Sequence, residues 1–179
     1  MYKSDSISIV PFKTEDAEQL CGMMLFNKLR FELYFPNTLA QNLSVKASEA
    51  YILKKQNEIK NNIEFTFAIK ETKSDIIAGI IILKEINPAL KEAELAYAID
   101  QTFGGKGYTS KAVSVLSDYA FTTLGIETLR IIVHKSNVAS AKVAQKNGYQ
   151  WVKTLPNEYT PKNGTPLDME LYELEKQSV

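Results

Sequence analysis

The sequence predicts an α/β fold, in the α+β sense of one mixed sheet with helices on both faces, and three observations carry that expectation. Strand-like runs recur from Ser6 to Leu174, helical stretches separate them, and the hydrophobic period turns from strand to helix directly after a glycine-rich turn at Phe103 to Thr109. Set in order, the segments give βααβββαβαββ, seven strands in a mostly antiparallel sheet, within a single domain spanning residues 1–179.

Ser6 to Phe12 alternates through Ile7, Ile9, Val10 and Phe12 and reads as the first strand. Thr14 then caps a helix whose first turn carries Glu15 and Asp16, where the helix dipole favours carboxylates. Phe26 to Asn42 is aromatic and broken by Pro36-Asn37, and with the second helix expected from about Ser44 to Lys60 on Val45, Ala47, Ala50, Ile52 and Leu53 it reads as a helical excursion with an internal corner. Glu64 to Lys70, Asp75 to Leu83 and Ala93 to Ile99 read as an antiparallel meander, interrupted by the polar turn Glu71 to Ser74 and the Asn87-Pro88 break. From Tyr108 the pattern is helical, with Ala112, Val113, Leu116, Ala120, Phe121 and Leu124 on one face and Gly125 at the expected left-handed terminus. Leu129 to His134 reads as a buried strand and Asn137 to Asn147 as a short helix ended by Gly148. Tyr149 to Lys153 and Asp168 to Leu174 complete the strands, joined by a Pro156 to Pro166 loop with an Asn163-Gly164 turn.

Composition excludes several kinds of chemistry. Lys plus Arg and Asp plus Glu both number 21, so no net field steers the protein to nucleic acid, a membrane surface or strongly charged partners. Cys21 is the only cysteine and His134 the only histidine. That removes disulfide frameworks, cysteine/histidine metal sites and any nucleophile paired with imidazole other than through His134, which at a strand end reads as structural; no metal is expected. The polar start and the short apolar run Ile76 to Leu83 lead to the expectation of a cytoplasmic protein with no signal peptide and no membrane anchor.

The strand Ala93 to Ile99, the turn Asp100 to Gly107 and the helix from Tyr108 bring unpaired backbone N–H groups to the positive end of a helix dipole. Gly104, Gly105 and Gly107 let the main chain adopt positive φ and approach phosphate oxygens, with Lys106 as an added point charge. The competing reading is a plain glycine-rich connection with a solvated lysine. No Gly-Lys-Ser/Thr ends the turn, and it follows a late meander strand rather than opening a βαβ unit, so it fits neither a P-loop nor a dinucleotide fingerprint.

Glu94-Leu95-Ala96-Tyr97 followed by Phe103-Gly104-Gly105-Lys106-Gly107-Tyr108-Thr109 resembles the acetyl-CoA motif of the GNAT superfamily, in its RimJ/RimL-type branch. Asn137-Val138-Ala139-Ser140 with Lys146-Asn147-Gly148-Tyr149 is similar to its second cofactor segment, Leu167 to Tyr172 to its closing strand, and Leu33-Tyr34-Phe35-Pro36 to the branch's acceptor-side corner. The resemblance spans nearly the whole chain in order and implies the GNAT fold, acetyl-CoA as cosubstrate and an amine acceptor. Gly104 stands where the superfamily usually has Arg or Gln, and Thr109 where it has a small residue. Binding is expected to survive both, because backbone N–H groups do most of the holding.

Further site residues follow from the resemblance. It implies that the strand Ala93 to Ile99 splays from Leu129 to His134, leaving a slot where pantetheine bonds to the main chain near Ala98 and Ile99. With Gly104, Gly105, Lys106, Gly107, Tyr108 and Thr109, the cofactor set then includes Asn137 and Ser140. It also places Ser140 beside the cofactor sulfur as proton donor or hydrogen-bond partner of the thiolate, the alternative being that Asn137 caps the helix and Ser140 fills its third position. Many relatives carry a tyrosine acid four residues further on; here that residue is Ala144. Alternation puts Glu94, Ala96 and Ala98 on one face and Leu95, Tyr97 and Ile99 on the other, so Glu94 is the first candidate base, against the reading of a buried anchor. Glu158 and Tyr159, expected in a loop, are candidates for base and acceptor contact, and Phe31, Tyr34 and Phe35 for the acceptor pocket, unless those aromatics are core.

The function expected is transfer of acetyl from acetyl-CoA to a primary amine, a protein N-terminus (ribosomal in the branch it resembles) or a small amine, by a monomer or homodimer. Two alternatives stand beside it: a non-catalytic acyl-CoA-binding sensor, and a nucleotide-binding module with a generic glycine turn.

Overall fold

The computed structural model describes residues 2–161 and 164–177. Its strands are β1 (Tyr2–Lys3), β2 (Ile7–Pro11), β3 (Phe65–Glu71), β4 (Ile77–Asn87), β5 (Glu92–Ile99), β6 (Thr128–His134), β7 (Gln150–Tyr159) and β8 (Leu167–Glu175). The helices are α1 (Ala17–Phe26), α2 (Lys28–Tyr34), α3 (Pro36–Ala40), α4 (Val45–Lys60), α5 (Tyr108–Thr122) and α6 (Val138–Lys146). They flank a single mixed sheet in the order β1-β2-β3-β4-β5-β6-β8-β7, in which only β5 and β6 run parallel. The eighth strand is the two-residue β1, which pairs with β2 through Tyr2 and Lys3 and is too short to leave an alternation in the sequence.

Each face of the sheet has its own core. Ile7, Ile9, Phe67, Leu83 and Leu95 point to α5 and meet Ala112, Val113 and Leu116, whereas Ala68, Ile80, Ile82 and Ala98 point to α1–α4 and meet Leu20, Met24 and Ile52. Strand β3 as far as Lys70 and strand β4 as far as Leu83 are therefore buried at every position, as strands covered on both faces must be.

The aromatic stretch between the first two expected helices is the helical excursion expected, with its corner one residue before Pro36: Phe35 at φ −147 ends α2, and Pro36 starts α3 at a first-turn position where its missing N–H costs nothing. Two local expectations need correction. Thr14 opens a short 3-10 turn rather than capping α1. Strand β7 runs on to Tyr159, placing Pro156, Glu158 and Tyr159 in a strand rather than a loop; irregular pairing between Leu155 and Tyr159 accommodates the proline. Asn163 of the expected turn lies outside the described residues.

Candidate active site

The sheet opens between β5 and β6. The two strands pair only at Glu92↔Thr128, Ala93↔Leu129 and Glu94↔Arg130. Beyond that point β5 stays with β4 as far as Ile99, and β6 stays with β8 as far as His134, so the strands diverge as a V. The Asp100 N–H donates to the Ala78 carbonyl. Because successive residues of a strand turn their polar groups to opposite edges, Ala98 likewise faces β4, while Tyr97 and Ile99 face the open side. Of the expected pair, Ile99 is thus the residue on the slot; its carbonyl accepts a hydrogen bond from the Arg30 guanidinium of α2.

The glycine turn follows at the mouth of the V. Asp100 Oδ1 accepts from the Thr102 N–H at 2.7 Å, and Asn27 from the end of α1 holds the same corner, donating to Asp100 Oδ2 at 3.1 Å and accepting from the Gln101 N–H at 3.0 Å. Gly105 and Gly107 then take φ values of +77 and +79, which aims the following amides outward, and Gly107 caps α5 without a side chain. Among the described residues, no carbonyl or side chain accepts from the backbone N–H groups of 105 to 110; the first helical bond is from Lys111 to the Gly107 carbonyl. These amides and the helix dipole form an anion site. Lys106 leans away from it, its ammonium 4.6 Å from the Phe103 ring centre and 3.5 Å from Glu71 Oε1, an oxygen that also accepts from the Tyr108 hydroxyl. The Thr109 side chain is buried, so only its N–H is offered.

Across the slot, Asn137 caps α6 by accepting from the Ser140 N–H at 3.3 Å. Ser140 in turn meets Tyr97 from β5: the tyrosine hydroxyl donates to the Ser140 carbonyl at 2.9 Å and accepts from Ser140 Oγ at 3.1 Å. Burial pushes the Tyr97 phenol up to about 12, so it remains protonated at neutral pH. Ala144 is fully buried in the core beneath α6.

Glu94 sits at the crotch of the V on the other face of β5. Lys84, directly opposite on β4, lies 2.9 Å from Glu94 Oε1. Burial pushes the carboxyl up, against the pull of that ammonium. Glu94 opens on a cleft of about 650 Å³ lined also by Glu85, Arg130, Glu158 and Leu171, so the two expected carboxylates share one space and Glu158 adds to the upward push.

A family model described as the acetyltransferase (GNAT) domain matches residues 7–150. The chain belongs to the GNAT acetyltransferase family. As a GNAT protein it is an acetyl-CoA-dependent N-acetyltransferase. It is 28% identical over 150 residues to the probable N-acetyltransferase YjcK of Bacillus subtilis (83% of each chain), and 33% identical over 82 residues to the spermidine N(1)-acetyltransferase of Escherichia coli (46% of this chain, 44% of that one). The fold superposes with a TM-score of 0.89 on the ribosomal-protein-S5-alanine acetyltransferase from Vibrio fischeri, at 19% identity over 97% of this chain and 95% of that one. At that identity the likeness bears on the fold alone, and it is the GNAT fold expected from the motifs.

The acceptor-side aromatics separate in this GNAT fold. Phe31 is a correction: it is only 3% exposed, packed in the core under α1–α4, with no face free for a ligand. Phe35 stacks edge-on against it at 6.0 Å, and Tyr34 crosses the mouth of the V to bond Ser136 Oγ at 3.0 Å, an oxygen that also meets His134 Nδ1 at 2.7 Å. Tyr159 ends β7 opposite Leu167, next in the chain to Glu158 of the cleft but not itself among the residues that line it. Sequence reasoning missed Tyr97, Asn27, Arg30 and Lys84, whose partners are 43, 73, 69 and 10 positions away in the chain. Only Lys84 left a signal, as the cross-strand neighbour of Glu94 in the meander.

Proposed function

We propose that the enzyme acetylates a primary amine, a protein N-terminus or a small amine, by direct attack on the acetyl-CoA thioester within the β5–β6 slot. One observation carries the reading: a strand edge with no partner strand, at Tyr97 and Ile99, leads through the Asp100 corner to the unbonded amides of 105 to 110. A pantetheine arm supplies peptide-like groups for the first, and a diphosphate supplies oxygens for the second. Gly104 to Thr109 and Asn137 complete the cofactor contacts through the main chain and the α6 cap.

The acceptor reaches the slot as an ammonium ion through the cleft that Glu94 and Glu158 make acidic. Glu94 takes its proton, directly or through water; a carboxyl raised by burial is better matched to that task than an exposed one. The free amine attacks the thioester carbon, the C–S bond breaks, the nitrogen gives up its second proton to solvent, and the sulfur leaves as thiolate accepting a hydrogen bond from Ser140 Oγ. Tyr34 and Phe35 flank the acceptor, with Glu158 on β7 on the far side and Tyr159 beyond it, where a longer acceptor would reach. The spermidine enzyme and the ribosomal-protein enzyme among the relatives mark the two kinds of amine to offer first.

The test is thiol release from acetyl-CoA against spermidine and against peptides with free N-terminal alanine or serine. Release with at least one acceptor, lost in Glu94→Gln, is expected. A protein that binds acetyl-CoA but frees no thiol with any amine overturns the reading in favour of a sensor.

A further inference from the structure

We propose that Tyr97 is a positioning residue for acetyl transfer: from β5 its hydroxyl grips Ser140 across the slot and keeps the serine hydroxyl facing the thioester. The inference rests on the reading of Ser140 as the partner of the departing sulfur.

Three atoms of Ser140 are held. Its N–H is capped by Asn137 Oδ1, and both its carbonyl and its Oγ meet the one Tyr97 hydroxyl, at 2.9 and 3.1 Å. These bonds bridge the two walls of the V at a point where β5 and β6 no longer pair, so Tyr97 takes the place of the missing ladder. The tyrosine ring leaves β5 on the face of Leu95 and packs against the core under α5 and α6, which fixes the hydroxyl that does the gripping.

The alternative for a serine in a helix explains why a grip is needed. A helical serine ordinarily turns its hydroxyl back onto the carbonyl three or four residues earlier, here Asn137 or Ser136. A hydroxyl spent that way points along α6 and away from the slot. Tyr97 offers Oγ an acceptor on the opposite wall instead, leaving it one small rotation from a sulfur lying between the strands. No net proton need come from the phenol: with its hydroxyl held protonated at neutral pH, Tyr97 orients the donor and the thiolate is neutralised later by solvent.

The experiment is a double-mutant cycle of Tyr97→Phe and Ser140→Ala in the full-length enzyme. It is read by thiol release with spermidine and with an N-terminal alanine peptide, and by calorimetric affinity for acetyl-CoA. Tyr97→Phe keeps the ring in the core and removes only the hydroxyl, so kcat is expected to fall about tenfold, the worth of one well-placed hydrogen bond, with acetyl-CoA affinity within about twofold of the parent. In the Ser140→Ala background the same change is expected to lower kcat no further. Losses that multiply in the double variant, or a Tyr97→Phe enzyme with parental kcat, overturn the proposal. A Ser140→Ala enzyme with parental kcat removes the role of Ser140 first and the proposal with it. A crystal structure of Tyr97→Phe gives a readout independent of the acceptor: Ser140 Oγ is expected on the carbonyl of Ser136 or Asn137, and an unmoved hydroxyl is the contrary result.

Discussion

On the open edge of β5 and in the turn that follows, the groups proposed to meet the cofactor are main-chain ones, at Tyr97 and Ile99 and at the unbonded amides of 105 to 110. On the other face of the same strand, proposed to receive the acceptor, the groups at the cleft are carboxylates and cations gathered from four strands, with Glu85 and Lys84 on β4, Glu94 on β5, Arg130 on β6 and Glu158 on β7. On the proposed reading the first region holds an anion by backbone shape, without depending on any one side chain. The second works by charge and is therefore adjustable residue by residue and sensitive to pH. A backbone change is the way to break the first, and neutralising one group at a time is the way to break the second.

The largest effect is expected from Gly107→Val. At φ +79 a residue with a Cβ pays about 1–2 kcal/mol, and more when the Cβ is branched, while nothing within 4 Å of that Cβ crowds the protein itself. The chain should fold, and acetyl-CoA affinity by calorimetry should fall by at least about thirtyfold, since the turn either shifts its amides or presents a branched side chain where phosphate must sit. Parental affinity in a folded Gly107→Val protein would separate the glycine turn from the cofactor.

That same contrast explains how much could be read from the sequence. The cofactor region is local, so the glycine spacing, the change of period at Tyr108 and the Asn137 cap of α6 are all written within short windows, and the structure repeats them. The strand alternation that separated Glu94 from Leu95 and Tyr97 also reappears, as the two cores on opposite faces. The acceptor region depends on contacts across the fold: Tyr34 meets Ser136 in the loop before α6, and Arg30 reaches the end of β5. Neither is encoded in a spacing. Phe31 illustrates the ambiguity, because an aromatic helix face has the same pattern whether it lines a pocket or, as here, fills the core.

Glu94→Gln comes next, as the change that breaks the charged region and leaves the backbone region intact. Removing a general base costs on the order of 100-fold in kcat/KM, and acetyl-CoA affinity should not follow it down. The two regions are energetically separate if that split is observed; a parallel loss of affinity means that Glu94 supports the V itself.

Lys84→Met sharpens the same point through pH. Glu94 is an acid whose pKa burial raises and Lys84 opposes, so removing the ammonium pushes that pKa higher still. The base is active only when ionised, and activity is lost as pH falls through its pKa. The acid limb of the kcat/KM profile should therefore begin above the ordinary carboxylate range in the parent and move to higher pH in Lys84→Met. A limb that moves to lower pH, or stays where it is, assigns the limb to another group.

The smallest effect is expected where a sequence motif looks most electrostatic. Lys106 lies among the turn glycines, yet its ammonium rests over Phe103 and faces Glu71, whose carboxyl is held below its usual range by hydrogen bonds from Ser74 and Tyr108 and by Lys106 itself. To reach a phosphate the side chain must leave both partners, so an exposed attraction is exchanged for a similar one. Lys106→Ala should accordingly weaken acetyl-CoA by no more than about threefold, with a correspondingly small change in its salt dependence. A loss approaching that of Gly107→Val would mean that the lysine swings onto the diphosphate and carries binding that the free amides are here assigned, and the division between a main-chain cofactor region and a side-chain acceptor region would have to be redrawn.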